Sequence, residues 1–160
     1  MTAAHAHEAL SYSINGAGFE VYNQIGYGFL EHVYTKALER ELMARGYTVT
    51  REYFARIFYK GEELAYQRLD LVVDEKVIVE IKATEHLDRS ASRQLFNYLC
   101  ATNFEVGLLL HFGPKGLGRF RVFQSNANKR HAQLLTESAL HTSADRDDVL
   151  HSCASATRLE

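Results

Sequence analysis

The chain has 160 residues, 46% of them hydrophobic and 24% charged, with a formal net charge of −2. That length suits one domain, the composition is that of a soluble globular protein, and no apolar run approaches the about 18–20 residues that span a membrane. The slightly acidic balance argues against a broad electrostatic grip on nucleic acid, which rests on neutralising phosphates. It leaves room for a local basic face, for which Arg51, Arg56, Lys60, Arg89, Arg93, Lys115, Arg119 and Arg121 are the candidates.

Met1-Thr-Ala-Ala-His-Ala-His7 lacks a basic segment followed by an apolar one, so no secretory signal is read and the cytoplasm is the expected location. Cys100 and Cys153 make neither a disulfide framework nor a zinc site. From residue 8 to residue 25, Leu10, Ile14, Ala17, Val21 and Ile25 recur at helical spacing. Gly16 and Gly18 either weaken this helix or let it pack closely. Gly26-Tyr-Gly28 breaks it. A second helix is predicted from about Phe29 to Arg45, with Gly46 as its stop. Its inner face reads Leu30, Val33, Tyr34, Ala37, Leu38, Glu41 and Leu42. Glu31 falls in its first turn, where the helix dipole favours an acid. Tyr34, three residues on, reads as a half-buried packing residue.

Tyr47–Tyr59 is predicted as a strand, Lys60–Glu63 as a turn, and Leu64–Val73 with Val77–Ala83 as the rest of an antiparallel meander. A helix from about Leu87 to Asn103 follows, then a buried strand at Glu105–Phe112. A glycine-rich loop at 113–118 matches no phosphate-binding motif, and Arg119–Gln124 alternates as an edge strand. The expected class is α/β, a mixed central sheet flanked by helices in the order α-α-β-β-β-α-β-β, with a crossover helix between the strands near residues 80 and 108. Residues 1–125 form the expected domain. Residues 126–160 are expected to be a short helix or a poorly ordered tail, their composition turning to Ser, Asp and Ala.

The chemistry concentrates at Arg68–Lys82. Leu69–Val73 and Val77–Ile81 are nearly continuous aliphatic runs, suited to strands covered on both faces. If Val73 pairs with Val77 across a three-residue loop, Asp70 falls opposite Glu80. A two-residue loop instead sets Asp70 diagonal to Glu80 and Lys82. Glu80 and Lys82 share a face in either register. Burying such groups without a purpose costs several kcal/mol, and a hard cation between the carboxylates would offset it. Mg²⁺ accepts one or two carboxylates together with water and phosphate oxygens. The plain alternative is a Glu–Lys pair at a sheet end with Asp70 on the rim.

Gly28-Phe-Leu-Glu31-His-Val-Tyr34 resembles the Gly-x-x-Glu-x-x-Tyr signature of the GxxExxY protein family, which is assigned to the PD-(D/E)XK nuclease superfamily. The resemblance covers roughly Leu10 to Gln124. It takes in Ala37–Leu42, Arg68–Val73, Val79–Lys82, Gln94–Leu99 and Gly107–Gly113, where His111-Phe-Gly stands for the family's usual Asn-Phe-Gly. It implies a restriction-endonuclease-like core and a metal-dependent nuclease cutting DNA in preference to RNA. Asp70 and Glu80 would bind Mg²⁺ or Mn²⁺, with Glu31 a further acidic member of the site. Lys82 would position or activate water. Gln94, Tyr98 and the signature's Tyr34 would be accessory. The competing reading is a nucleic-acid- or protein-binding module of the same fold without robust turnover. A homodimer, or a partner protein that supplies DNA affinity, fits a chain this small.

Overall fold

A computed structural model describes residues 7–129. The elements are α1 (Glu8–Ile25), α2 (Glu31–Ala44), β1 (Val49–Tyr59), β2 (Glu62–Val73), β3 (Val77–Lys82), α3 (Ser90–Ala101), β4 (Val106–Gly113) and β5 (Gly116–Phe123). This is the order read from the sequence. One correction falls at 113–118, where no long loop forms. β4 and β5 meet across Pro114-Lys115, and β5 starts at Gly116, whose φ of +132° suits glycine. Leu30 is a second correction: it precedes α2 and is 71% exposed rather than facing inward. The compact unit runs to Lys129. Asn126–Asn128 makes one 3₁₀ turn, and the rest of the tail expectation lies outside the described residues.

The sheet has five strands in the order β1-β2-β3-β4-β5. All neighbours are antiparallel except β3 and β4, which are parallel and joined through α3. A parallel pair needs such a crossover. α1 and α2 cover one face, where Ile14, Ala17, Val21, Tyr34, Leu38 and Leu42 pack on Leu71, Val73, Val79, Ile81, Leu108 and Leu110. α3 covers the other through Ala91, Leu95, Tyr98 and Leu99, packed on Leu69, Val72, Ile78 and Leu109. The centre of the sheet is therefore dry on both sides, as its unbroken aliphatic runs require. Two glycines set the layer spacing. A Cβ on Gly107 would meet Leu95 at 2.7 Å, and one on Gly18 would meet Leu117 at 3.0 Å. Gly18 is thus a close-packing residue. Among the described residues, no helix is long and apolar enough to cross a membrane.

Candidate metal centre

The turn after β2 decides where the site forms. Val73 pairs with Val77, so three residues lie between them and the register places Asp70 level with Glu80. Asp74 and Glu75 take left-handed φ values of 51° and 54°. The Lys76 N–H closes the turn on the Val73 carbonyl at 3.0 Å. Such a turn matches the twist of a hairpin.

Strand pairing between β2 and β3 stops at Leu71–Val79. Beyond it the Ile81 N–H donates to Asp70 Oδ2 at 2.8 Å, the side chain standing where a main-chain acceptor would continue the ladder. Asp70 also marks a break in the strand's alternation. Leu69 packs beneath α3, yet Leu71, two residues on, packs beneath α1 and α2. The partner strand breaks at the same level, where Glu52 has φ 55°. The carboxylate of Asp70 therefore sits at a twist in the sheet and not in a regular row.

Glu80 is 3% exposed. Its Oε1 accepts from Lys82 Nζ at 2.7 Å, while its Oε2 is buried with no hydrogen-bond partner. Glu31, the first residue of α2, joins from the helical layer; the Ala83 N–H hydrogen-bonds to it, just past the end of β3. From the opposite layer, Gln94 Nε2 donates to the Tyr98 hydroxyl at 2.5 Å.

The charges are unbalanced. Burial, then the charge of Asp70, pushes the Glu80 carboxyl up to about 7, against the lowering effect of Lys82. Burial also holds Asp70 above the ordinary carboxylate range, despite the Ile81 N–H, Lys82 and Arg68. It raises Glu31 as well, against Lys82 and with Asp70. For Lys82, burial works to lower the ammonium; the hydrogen bond to Glu80 and the charges of Glu80, Glu31 and Asp70 outweigh it and hold it high. Tyr98 is raised by burial and then by Glu80. Lys82, with Arg68 acting on Asp70, thus faces three carboxylates, all of which resist ionising.

Among the described residues, no three His, Cys, Asp or Glu side chains form a ready-made metal cage. A hard cation does not need one, since one or two carboxylates suffice beside water and phosphate oxygens. The orphaned Oε2 of Glu80, level with Asp70, is an oxygen donor awaiting such an acceptor. The residues present therefore fit a divalent cation.

Tyr34 stands apart from this group. It is fully buried, where the sequence suggested half-burial. Its hydroxyl donates to Gly26 O at 2.8 Å and accepts from Phe29 N–H at 3.2 Å, and its ring stacks on Phe112 at 4.2 Å. It staples the loop that delivers Glu31. Sequence reasoning overlooked the main-chain donors Ile81 and Ala83, which residue types cannot signal. It also passed over His111, the register partner of Lys82, whose Nε2 lies 2.7 Å from the Thr84 carbonyl and anchors the segment leading from β3 to α3. Its signal was position, directly before Phe112-Gly113 at the end of β4.

No curated protein matches the chain. Among solved structures, the crystal structure of SSO0001 is similar over 68% of this chain, at 17% identity and a TM-score of 0.49; the match takes in 55% of that protein, just over half its length. The family model for the PD-(D/E)XK nuclease superfamily, a group generally dependent on divalent metals, matches residues 8–122. That span runs from the start of α1 into β5, across a mixed sheet of restriction-endonuclease-like order, and the chain belongs to the PD-(D/E)XK nuclease superfamily.

Proposed function

We propose that the protein is a metal-dependent nuclease of the GxxExxY branch, hydrolysing phosphodiester bonds in nucleic acid, DNA in preference to RNA. The observation that carries this reading is the buried Glu80, one oxygen tied to Lys82 and the other without a partner, level with Asp70. Asp70 and Glu80 would hold Mg²⁺ or Mn²⁺, with Glu31 completing the acidic set. When bound, the cation supplies Lewis-acid stabilisation of charge developing on the phosphoryl oxygens. Lys82 keeps an ammonium beside the carboxylates, where it orients a water and offsets that charge. The Tyr98 hydroxyl accepts from Gln94 and so keeps its own proton to donate to water or phosphate.

A binding module without turnover is the second reading, favoured by the net charge of −2. A cleavage panel separates the two: supercoiled plasmid, single-stranded DNA, branched DNA and RNA, each with Mg²⁺, Mn²⁺ or EDTA. Metal-dependent cutting that Lys82→Ala abolishes, and that Glu31→Gln weakens without unfolding the protein, is the expected result. Folded protein that binds metal and cuts nothing on the panel would overturn the nuclease reading in favour of the module.

A further inference from the structure

β1 and β2 outrun the rest of the sheet. They pair from Val49–Val73 to Tyr59–Glu62, whereas β3 accompanies β2 only over Leu71–Val73. From Leu69 outward the two strands form a ribbon. α3 supports one side of it, through Ala55, Leu69 and Tyr53. The other side carries a tile of four side chains. Phe54 lies opposite Arg68, and Arg56 opposite Tyr66. Cross-strand partners and residues two apart share a face. The two aromatics therefore occupy one diagonal and the two arginines the other. Phe54 and Tyr66 meet edge to face, with centroids 5.4 Å apart. Phe54 is 58% exposed and Tyr66 63%. Each arginine is held by a carboxylate at 3.7 Å, Arg56 by Glu63 and Arg68 by Glu52, in pairs about half exposed to solvent. Exposed pairs of that length contribute little and yield readily to a phosphate.

Phe54 and Tyr66 form an exposed aromatic patch rimmed by charged residues on the open side of the ribbon, the kind of surface that marks an interaction site. Flanking arginines select an anionic occupant. Arg68 lies two residues before Asp70, and its charge acts on that carboxyl, so the tile ends beside Asp70. Aromatic faces beside cations are how unpaired bases and their backbone are held, because a stacked base must be out of its duplex. We infer that the tile of Phe54, Arg56, Tyr66 and Arg68 is a single-strand-binding platform that holds an unpaired stretch of nucleic acid beside Asp70. The inference rests on the nuclease reading and narrows its substrate to single strands, or to duplexes with unpaired tails.

The test uses the full chain in EDTA, so that binding is read without cleavage. Fluorescence anisotropy compares a labelled oligothymidylate with a duplex of equal length. In the Phe54→Leu/Tyr66→Leu variant, which keeps apolar area on the ribbon but removes the stacking rings, affinity for the single strand falls about tenfold or more while duplex affinity changes less than about twofold. Arg56→Gln flattens the salt dependence of single-strand binding by roughly one phosphate contact. Melting curves identify any variant that fails to fold, and Phe54→His/Tyr66→His, which restores stacking rings, recovers single-strand binding. No single-strand binding by the wild type, or binding unchanged in the Leu variant, overturns the inference. So does a dimer, detected by light scattering, that the Leu variant disrupts without altering DNA affinity; the tile would then face a second copy. If the wild type cuts a substrate and the Leu variant binds and cuts it equally well, the platform fails alone. If nothing is cut but single-strand binding depends on the tile, the nuclease reading fails and the platform stands.

Discussion

Among the described residues, two charged side chains are buried, Glu80 and Lys129, and they are buried differently. Lys129 Nζ donates to the carbonyls of Thr102 and Phe104, each at 2.7 Å, and to Asn126 Oδ1 at 2.6 Å. Three donors meet three acceptors, and the group is complete. It ties the turn from α3 into β4, through the Thr102 and Phe104 carbonyls, to Asn126 after β5. Glu80 has one oxygen bonded and the other orphaned, at a sheet end where two further carboxylates strain against ionising. A satisfied buried charge is a fastener. On the proposed reading, the unsatisfied one is a place for a cation.

The sharpest way to break this comparison is to remove each charge and read metal-dependent activity. Asp70→Asn, or Glu80→Gln, is expected to cost about a hundredfold or more in single-turnover cleavage. Mn²⁺ is expected to raise the melting temperature of the wild type, and either variant to abolish that rise. Lys129→Met leaves cleavage within about twofold, because its partners are Thr102, Phe104 and Asn126 and none belongs to the acidic group. If Lys129→Met removed metal-dependent cutting, the division into fastener and site would collapse.

The same lysine dominates when the readout is stability. Lys129→Met strips three acceptors of a charged donor and is expected to lower urea-unfolding free energy by about 3 kcal/mol. Burial pulls the Lys129 ammonium down from 10.5 to about 8, so its charge costs stability that returns as pH rises from about 8 past 10.5; Lys129→Met is compared at neutral pH, where the ammonium is charged in folded and unfolded chain alike.

Glu80 should show the opposite sign. Its folded value of about 7 lies above the ordinary 4.5, so the folded protein holds that proton more tightly than the unfolded chain does. The stabilisation this gives is full below about 4.5 and is lost as pH rises through about 7. In EDTA at pH 8, Glu80→Gln is therefore expected to be more stable than wild type by about 2 kcal/mol, with the difference closing at pH 4. Saturating Mn²⁺ reverses the order by stabilising only the wild type. Destabilisation of the metal-free protein by Glu80→Gln at pH 8 would mean that the carboxylate is a fastener after all.

Most of the frame could be read from the sequence because its causes are local. Helical spacing placed α1 to the residue, and unbroken aliphatic runs marked β3 and β4 as buried. A three-residue turn, one of two registers left open, is what sets Asp70 level with Glu80. What escaped has distant or main-chain causes. Lys129 sits in a polar stretch that looks like surface, and its carbonyl partners are 25 and 27 residues away. The twist at Glu52 and Asp70 requires a glutamate in left-handed conformation, which no glycine announces. The exposed tile on β1 and β2 depends on how early β3 parts from its neighbour, a tertiary fact that local alternation does not carry.

Tyr34 gives the smallest effect and the finest division between the two kinds of polar burial. The proposed GxxExxY resemblance groups it with Glu31, and the structure gives its hydroxyl two main-chain partners in the preceding loop. Tyr34→Phe keeps the ring stacked on Phe112 and deletes those two bonds. The expected loss is about 1 kcal/mol of stability, with the Mn²⁺ response intact and cleavage reduced less than about threefold. Glu31→Gln should do the reverse, sparing stability and lowering cleavage. If the two variants instead show the same profile, with cleavage lost and stability kept, the tyrosine hydroxyl acts in the site and not as the staple of residues 26–29. A loss of stability in Tyr34→Phe that restoring a hydroxyl elsewhere cannot mend, with cutting per folded molecule unchanged, leaves Glu31 as the member of the signature that meets the substrate.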